Sequence, residues 1–215
     1  MHIPDGFIAP QVYLPAYGVA AGLWTYGLRR LRAALREETI PRLAVLTAFC
    51  FVVTMVMLPL PGGTSVHATG IAVLALLFGV WTAFVAFSIV LLLQALLFGA
   101  GGVTALPVNA LAMGMVGSAV AWYAYRLLRR AHEGFALVAA GWLSVNVAAL
   151  LLALVLGLQP AIAHTEEGQP LFFPFGLSVT LPAVMIPHAL IGVGEGALTL
   201  LMWRFVERRG WFAGS

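Results

Sequence analysis

Five histidines carry most of the chemistry open to this chain: His2, His67, His132, His164 and His188. A histidine at position two can offer three nitrogens to one metal ion. They are the terminal amine, the amide of residue two once it has lost its proton, and imidazole Nδ1. Amine and amide close a five-membered chelate ring, amide and imidazole a six-membered one, and the three donors lie nearly in one plane. One more donor completes a square, which suits Ni(II) and Cu(II), whereas zinc prefers a tetrahedron. The opening Met1-His2-Ile3-Pro4-Asp5-Gly6 has neither the basic stretch nor the cleavage site of a signal peptide. Histidine is too bulky at position two to favour removal of the preceding methionine. The reading therefore expects Met1 to stay at the chain start.

His67 stands in Gly63-Thr64-Ser65-Val66-His67-Ala68-Thr69-Gly70, an uncharged segment opening a short apolar stretch. Two roles fit it: a fourth donor to the His2 chelate, or a helix-entry histidine bonded to backbone beside the capping residues Thr64 and Ser65. His188 and Glu195 lie seven residues apart, a spacing that returns to within about 20° of the same helix face. Ionisable groups inside an apolar helix are costly and face a cavity or a partner. The pair is read either as a support to the metal site or as a buried hydrogen-bonded pair. Gln94 and Asn109 flank the Gly99–Pro107 segment, where contact with the site competes with plain interhelical hydrogen bonding. His132, within an arginine-rich turn, reads as solvated charge. His164, beside Glu166 and Glu167, reads as a loop residue with at most a weak external pull on cations.

Several chemistries are excluded. The single cysteine, Cys50, rules out an intramolecular disulfide or a cysteine-built metal site. No lysine is present, so the chain holds no P-loop and any ATP-derived energy must come from another subunit. Gly192-Val193-Gly194-Glu195-Gly196 has no strand before it and reads as close helix packing, not a phosphate loop. The methionines within apolar stretches, such as Met113 and Met185, read as core rather than a copper path.

The elements that position these residues follow from the composition. Of 215 residues, 62% are hydrophobic and only 9% charged, against about half and about a quarter in a soluble domain. A polytopic helical membrane protein remains. Apolar stretches run Val12–Leu28, Leu43–Leu58, Trp81–Phe98, Val108–Tyr125, Phe135–Leu158 and Pro182–Phe205, with the short Ala68–Phe78 as a seventh helix, third in order. All eleven basic residues are arginines in three connections: five between Arg29 and Arg42, three between Arg126 and Arg130, and three between Arg204 and Arg209. Seven helices with the N-terminus external and the C-terminus cytoplasmic put all three clusters inside, as the positive-inside rule asks. Tryptophans and tyrosines beside each cluster fit the interface. The opposite connections, Pro59–Val66, Gly99–Pro107 and Gln159–Leu181, hold no basic residue and are rich in Gly, Pro, Thr and Ser. Such irregular backbone persists at membrane depth only when packed in protein or lining a cavity. The expected fold is all-α, one transmembrane domain over 1–215 of the cytoplasmic membrane, with segment 1–9 folding back into the bundle.

Four motifs, in order, resemble the CbiM/NikM family, the substrate-binding membrane (S) components of cobalt and nickel energy-coupling factor (ECF) transporters. They are the Met1–Gly6 opening, Gly63–Gly70, Gln94–Ala105 with Asn109 following, and His188–Thr199. Leu106-Pro107-Val108 departs from the Gly-Ala that the family tends to place before the Asn, and the Pro4-Asp5 pair is closer to nickel members. The resemblance implies a site made by the Met1 amine, the His2 amide and imidazole, and the His67 imidazole. Ser65, Gln94, Asn109, His188 and Glu195 are then candidates to support those donors. It implies uptake of Ni(II) or Co(II) as transported substrate, no organic cofactor and no catalysis in this chain. The implied partners are a transmembrane coupling (T) subunit, two ATPase (A) subunits, a small auxiliary membrane subunit and the lipid bilayer, with no nucleic acid. The competing class is an intramembrane zinc enzyme built from His67, His188 and Glu195, since two histidines and a carboxylate can make an open catalytic site.

Overall fold

The computed structural model describes residues 2–60 and 64–211. Its elements run α1 (Pro10–Ala34), α2 (Thr39–Met55), β1 (Leu58–Leu60), β2 (Thr64–Val66), α3 (Ile71–Phe78), α4 (Val80–Phe98), α5 (Leu106–Asn109), a π-helix (Ala110–Gly117), α6 (Ser118–Leu128), α7 (Glu133–Gly157), α8 (Gln159–Ile162) and α9 (Leu177–Arg208). Among the described residues, four helical runs are long and apolar enough to cross a membrane: Val80–Phe98, Leu106–Leu128, Glu133–Ile162 and Leu177–Arg208. α2 is apolar but has 17 residues, and α1 carries Arg29, Arg30 and Arg32 in its last turns.

Several elements depart from expectation: α1 runs six residues past Leu28, and α8 forms within the Gln159–Leu181 connection. The segment after α2 is not plain loop: β1 and β2 pair antiparallel, Leu58 opposite Val66 and Leu60 opposite Thr64. α9 starts five residues ahead of Pro182 and runs through Pro182 and Pro187 without a break. Prolines inside membrane helices are tolerated because neighbouring helices re-satisfy the freed carbonyls.

α3 is apolar on every side, and Ile71 to Leu76 are all buried; a helix of that kind belongs in the core. It is bracketed by Gly70 at φ +69° and Gly79 at φ +80°, so a left-handed residue turns the chain into and out of it. α7 and α9 approach closely through glycine. A Cβ on Gly141 would lie 2.8 Å from the Glu195 carbonyl oxygen, and one on Gly196 2.6 Å from that of Val138. This small-residue seam fixes the height of α9, and with it of His188 and Glu195. α1 crosses α4 where a Cβ on Gly27 would meet Val85 at 2.8 Å, and Trp24 Nε1 donates across that crossing to Ser88 Oγ at 2.9 Å.

Candidate metal centre

The chain start is packed as core. Ile3, Ile8 and Ala9 are buried, and the backbone groups of this segment find partners far along the chain. Asn109 grips Ile3 at both ends: Ile3 N–H donates to Asn109 Oδ1 at 3.0 Å, and Asn109 Nδ2 donates to the Ile3 carbonyl at 3.1 Å. Asn109 closes α5 where the winding widens into the π-helix, a distortion that recurs at functional sites. Ala9 N–H donates to Gln159 Oε1 at 2.9 Å. Between these anchors, Asp5 accepts from Val103 N–H at 3.1 Å and Thr104 N–H at 2.8 Å, and from the Thr104 hydroxyl. Partial burial alone would raise the Asp5 carboxyl. Bonds from the Thr104 hydroxyl and backbone, and from the backbone of Val103 and Ala105, outweigh it and hold the group below the usual carboxylate range.

Glycines let segment and loop touch. Gly101 has φ +82°, and a Cβ there would sit 3.3 Å from His2 Cβ; a Cβ on Gly102 would fall onto the backbone nitrogen and Oδ1 of Asp5. His2 is thus laid on bare backbone and stacked on His67, ring centroids 4.6 Å apart and planes 27° from parallel. Both rings are at most 3% exposed. Burial lowers the His2 imidazole to about 3 and the His67 imidazole well below its ordinary value. Both are therefore neutral at physiological pH, the form that binds metal.

The tautomers follow from their partners. His67 Nδ1 lies 2.9 Å from the Ala68 carbonyl, which can only accept, so Nδ1 carries the hydrogen and Nε2 the lone pair. His188 repeats this arrangement: Nδ1 donates to the Val184 carbonyl at 2.7 Å and leaves Nε2 free. Among the described residues, His2 Nδ1 and Nε2, His67 Nε2 and His188 Nε2 are buried side-chain nitrogens without a hydrogen-bond partner. Buried polar atoms are seldom left unpaired, and a cluster of them points to a ligand. No three His, Cys, Asp or Glu side chains among the described residues converge on one point. An ion seated on the two stacked imidazoles must therefore draw further donors from backbone nitrogen or water. Met1, the remaining residue of the expected ligand set, lies outside the described residues.

The other sequence candidates divide. His188 is fully buried on α9, on one helix face with Glu195. Glu195 reaches the His67 loop: Thr69 N–H donates to Oε2 at 2.6 Å, while Gly70 N–H and the Thr69 hydroxyl donate to Oε1 at 2.8 and 2.9 Å. Gln94 instead points at α2, donating to Thr54 Oγ1 and to the Phe51 carbonyl. Ser65 lies in β2 opposite Pro59. His132 caps α7, accepting from Phe135 N–H, and His164 Nδ1 bonds the Thr165 carbonyl on the surface. Sequence reasoning passed over Asp5, Thr69, Thr104 and Gln159 as site residues. Asp5, Thr69 and Thr104 lie inside the family motifs of the sequence, which was the available signal.

Comparison with known proteins agrees in extent and in kind. Residues 2–211 match the family model described as cobalt uptake substrate-specific transmembrane region. The probable fused nickel transport protein LarMN of Lactiplantibacillus plantarum is 41% identical over 212 residues, 97% of this chain and 65% of that one. The fused nickel transport protein NikMN of Rhodobacter capsulatus is 41% identical over 215 residues, 97% of this chain and 62% of that one. The chain thus spans a little under two thirds of the length of these fused relatives. The crystal structure of a truncated transition metal transporter superposes with a TM-score of 0.93 at 34% identity, covering 97% of this chain and 99% of that one. Nearly the whole sequence takes part in each match, and the chain belongs to the CbiM family.

Proposed function

We propose that this chain is the metal-binding, non-enzymatic S component of an ECF-type importer, taking Ni(II) or Co(II) from outside the cell across the cytoplasmic membrane. The ion is held in a plane by four nitrogens: the Met1 amine, the His2 amide, His2 Nδ1 and His67 Nε2. Binding exchanges water for nitrogen and releases the amide proton. The observation that carries this reading is the buried, neutral, stacked pair of His2 and His67, whose metal-binding nitrogens have no other described partner. Asn109, Asp5 and Gln159 anchor the His2 segment, and the buried, unpartnered His188 Nε2 is a further acceptor in the bundle interior. Seven membrane-spanning helices, α3 short, with the N-terminus external, place every arginine cluster in the cytoplasm. A coupling subunit, two ATPase subunits and a small auxiliary membrane subunit complete the importer. The additional chain in the fused nickel relatives supports such a partner.

The zinc-enzyme alternative is disfavoured because both Glu195 oxygens are occupied by Thr69 and Gly70. One residue added ahead of Met1 tests the planar site, since it turns the terminal amine into a peptide. Purified protein with Ni(II) should give the yellow, diamagnetic spectrum of a planar complex, and the extended protein should lose it. An octahedral, paramagnetic signal from the unextended protein, or the same affinity in both, refutes the proposal.

A further inference from the structure

Glu195 is fully buried in the middle of the longest helix. A carboxylate within the apolar interior is costly and persists only with a full set of partners. Among the described residues its three donors come from residues 69 and 70: two backbone N–H groups and the Thr69 hydroxyl. Among the described residues both oxygens receive hydrogens, which suits a group that accepts at both positions. Moving the loop away would leave both buried oxygens without these partners, so the bonds that satisfy them also hold the loop in place.

The loop needs no such bond for its helix alone. Thr69 Oγ1 already accepts from Ile71 N–H at 3.2 Å, and the Gly70 carbonyl takes the first helical bond from Leu74. On the far side the chain is pressed against α2, where a Cβ on Gly70 would lie 2.8 Å from Cys50 Sγ. The peptide two residues after His67 is thus clamped between α2 and α9.

We infer that Glu195 is a positioning residue for the transported ion: through Thr69 and Gly70 it sets the place of His67 and pre-organises His67 Nε2 for coordination. This rests on His67 being a donor. Outer partners of this kind typically change metal affinity by about 10- to 100-fold. Glutamine substitutes only in part: its one carbonyl oxygen can still accept, but its NH2 turns toward an N–H group that the second carboxyl oxygen had satisfied.

The test is Ni(II) titration of the full chain in detergent, followed by absorbance and calorimetry, for wild type, Glu195→Gln, His67→Ala and the double variant. The expected result is a 10- to 100-fold weaker affinity for Glu195→Gln, with the wild-type absorption band at saturation because the donor set is intact. In the His67→Ala background the same change should cost less than twofold, since coupled residues are not additive. An equal loss in both backgrounds, an unchanged affinity in the single variant, or a shifted band overturns the inference. No effect of His67→Ala alone would instead overturn the site itself. Should Glu195→Gln fail to fold, Thr69→Val and Thr69→Ser decide. The valine, lacking the hydroxyl donor, should weaken binding and the serine should restore it; equal affinities for the two overturn the inference.

Discussion

Replacing Asn109 with alanine removes both hydrogen bonds that hold Ile3, at 3.0 and 3.1 Å, and leaves a buried N–H and a buried carbonyl facing a methyl group. Each such orphan costs about 1–3 kcal/mol. Allowing for water entering the gap, the docked state of the opening segment loses about 2–4 kcal/mol. At about 1.4 kcal/mol per tenfold, that corresponds to roughly 30- to 700-fold in the docking equilibrium. Apparent metal affinity falls with the docked fraction, so at least tenfold weaker Ni(II) binding is expected, with the full range as the ceiling. Two assays separate docking from ligation. Hydrogen exchange without metal should show the amides of residues 3–9 losing protection while those of α4 and α7 keep theirs. Titration should then give the affinity loss with the saturated spectrum unchanged. Ni(II) affinity within twofold of wild type, together with an unprotected opening segment, would refute the reasoning, because the ion would then not depend on the docked segment.

Gly101→Ala adds a methyl 3.3 Å from His2 Cβ at φ +82°, whereas Gly6→Ala has the same φ with nothing within 4 Å. Both should cost about 1 kcal/mol of backbone strain, and Ni(II) titration should show a further loss for Gly101→Ala alone. Because the folded Asp5 carboxyl is held low, its contribution to docking is complete above the ordinary carboxylate value of about 4 and drains away as pH falls through the folded value. Hydrogen exchange of residues 3–9 should follow that course in wild type and be flat over that window in Asp5→Asn. Gly196→Val drives side-chain carbon toward the Val138 carbonyl oxygen, 2.6 Å from the Cβ site, while Gly194→Ala meets open space. Thermal unfolding in detergent should show about 1–3 kcal/mol of destabilisation for the first and little for the second.

The helices were legible because a mean hydropathy of +1.00 and long apolar stretches leave few alternatives. His2 stood out as a candidate because the chelate proposed for it would be built from consecutive atoms. His67 needed the motif around it, since its partner lies 65 positions away and no local period records that pairing. Still longer separations hid Asn109's grip on Ile3, 106 positions off, and that of Gln159 on Ala9, 150 positions off. Gln94 shows the reverse case. It stands beside the right loop, but its side chain turns toward Thr54, because helix rotation and not proximity in sequence decides which way a polar group faces. The β1–β2 hairpin escaped notice because strands of three residues, one with Pro59 at its centre, leave no alternation to read.

The π-helix at Ala110–Gly117 has a consequence for how chain length varies in this fold. A widened turn holds more residues than α winding would place over the same rise. A single residue lost between Asn109 and Ser118 can be absorbed by tightening that turn, with the amide that grips Ile3 and the hydroxyl that bonds Gly114 keeping their faces. The same loss within α4 would swing every later side chain on that helix by about 100°. Indels among homologues are therefore expected to gather in this eight-residue stretch and to spare its neighbours.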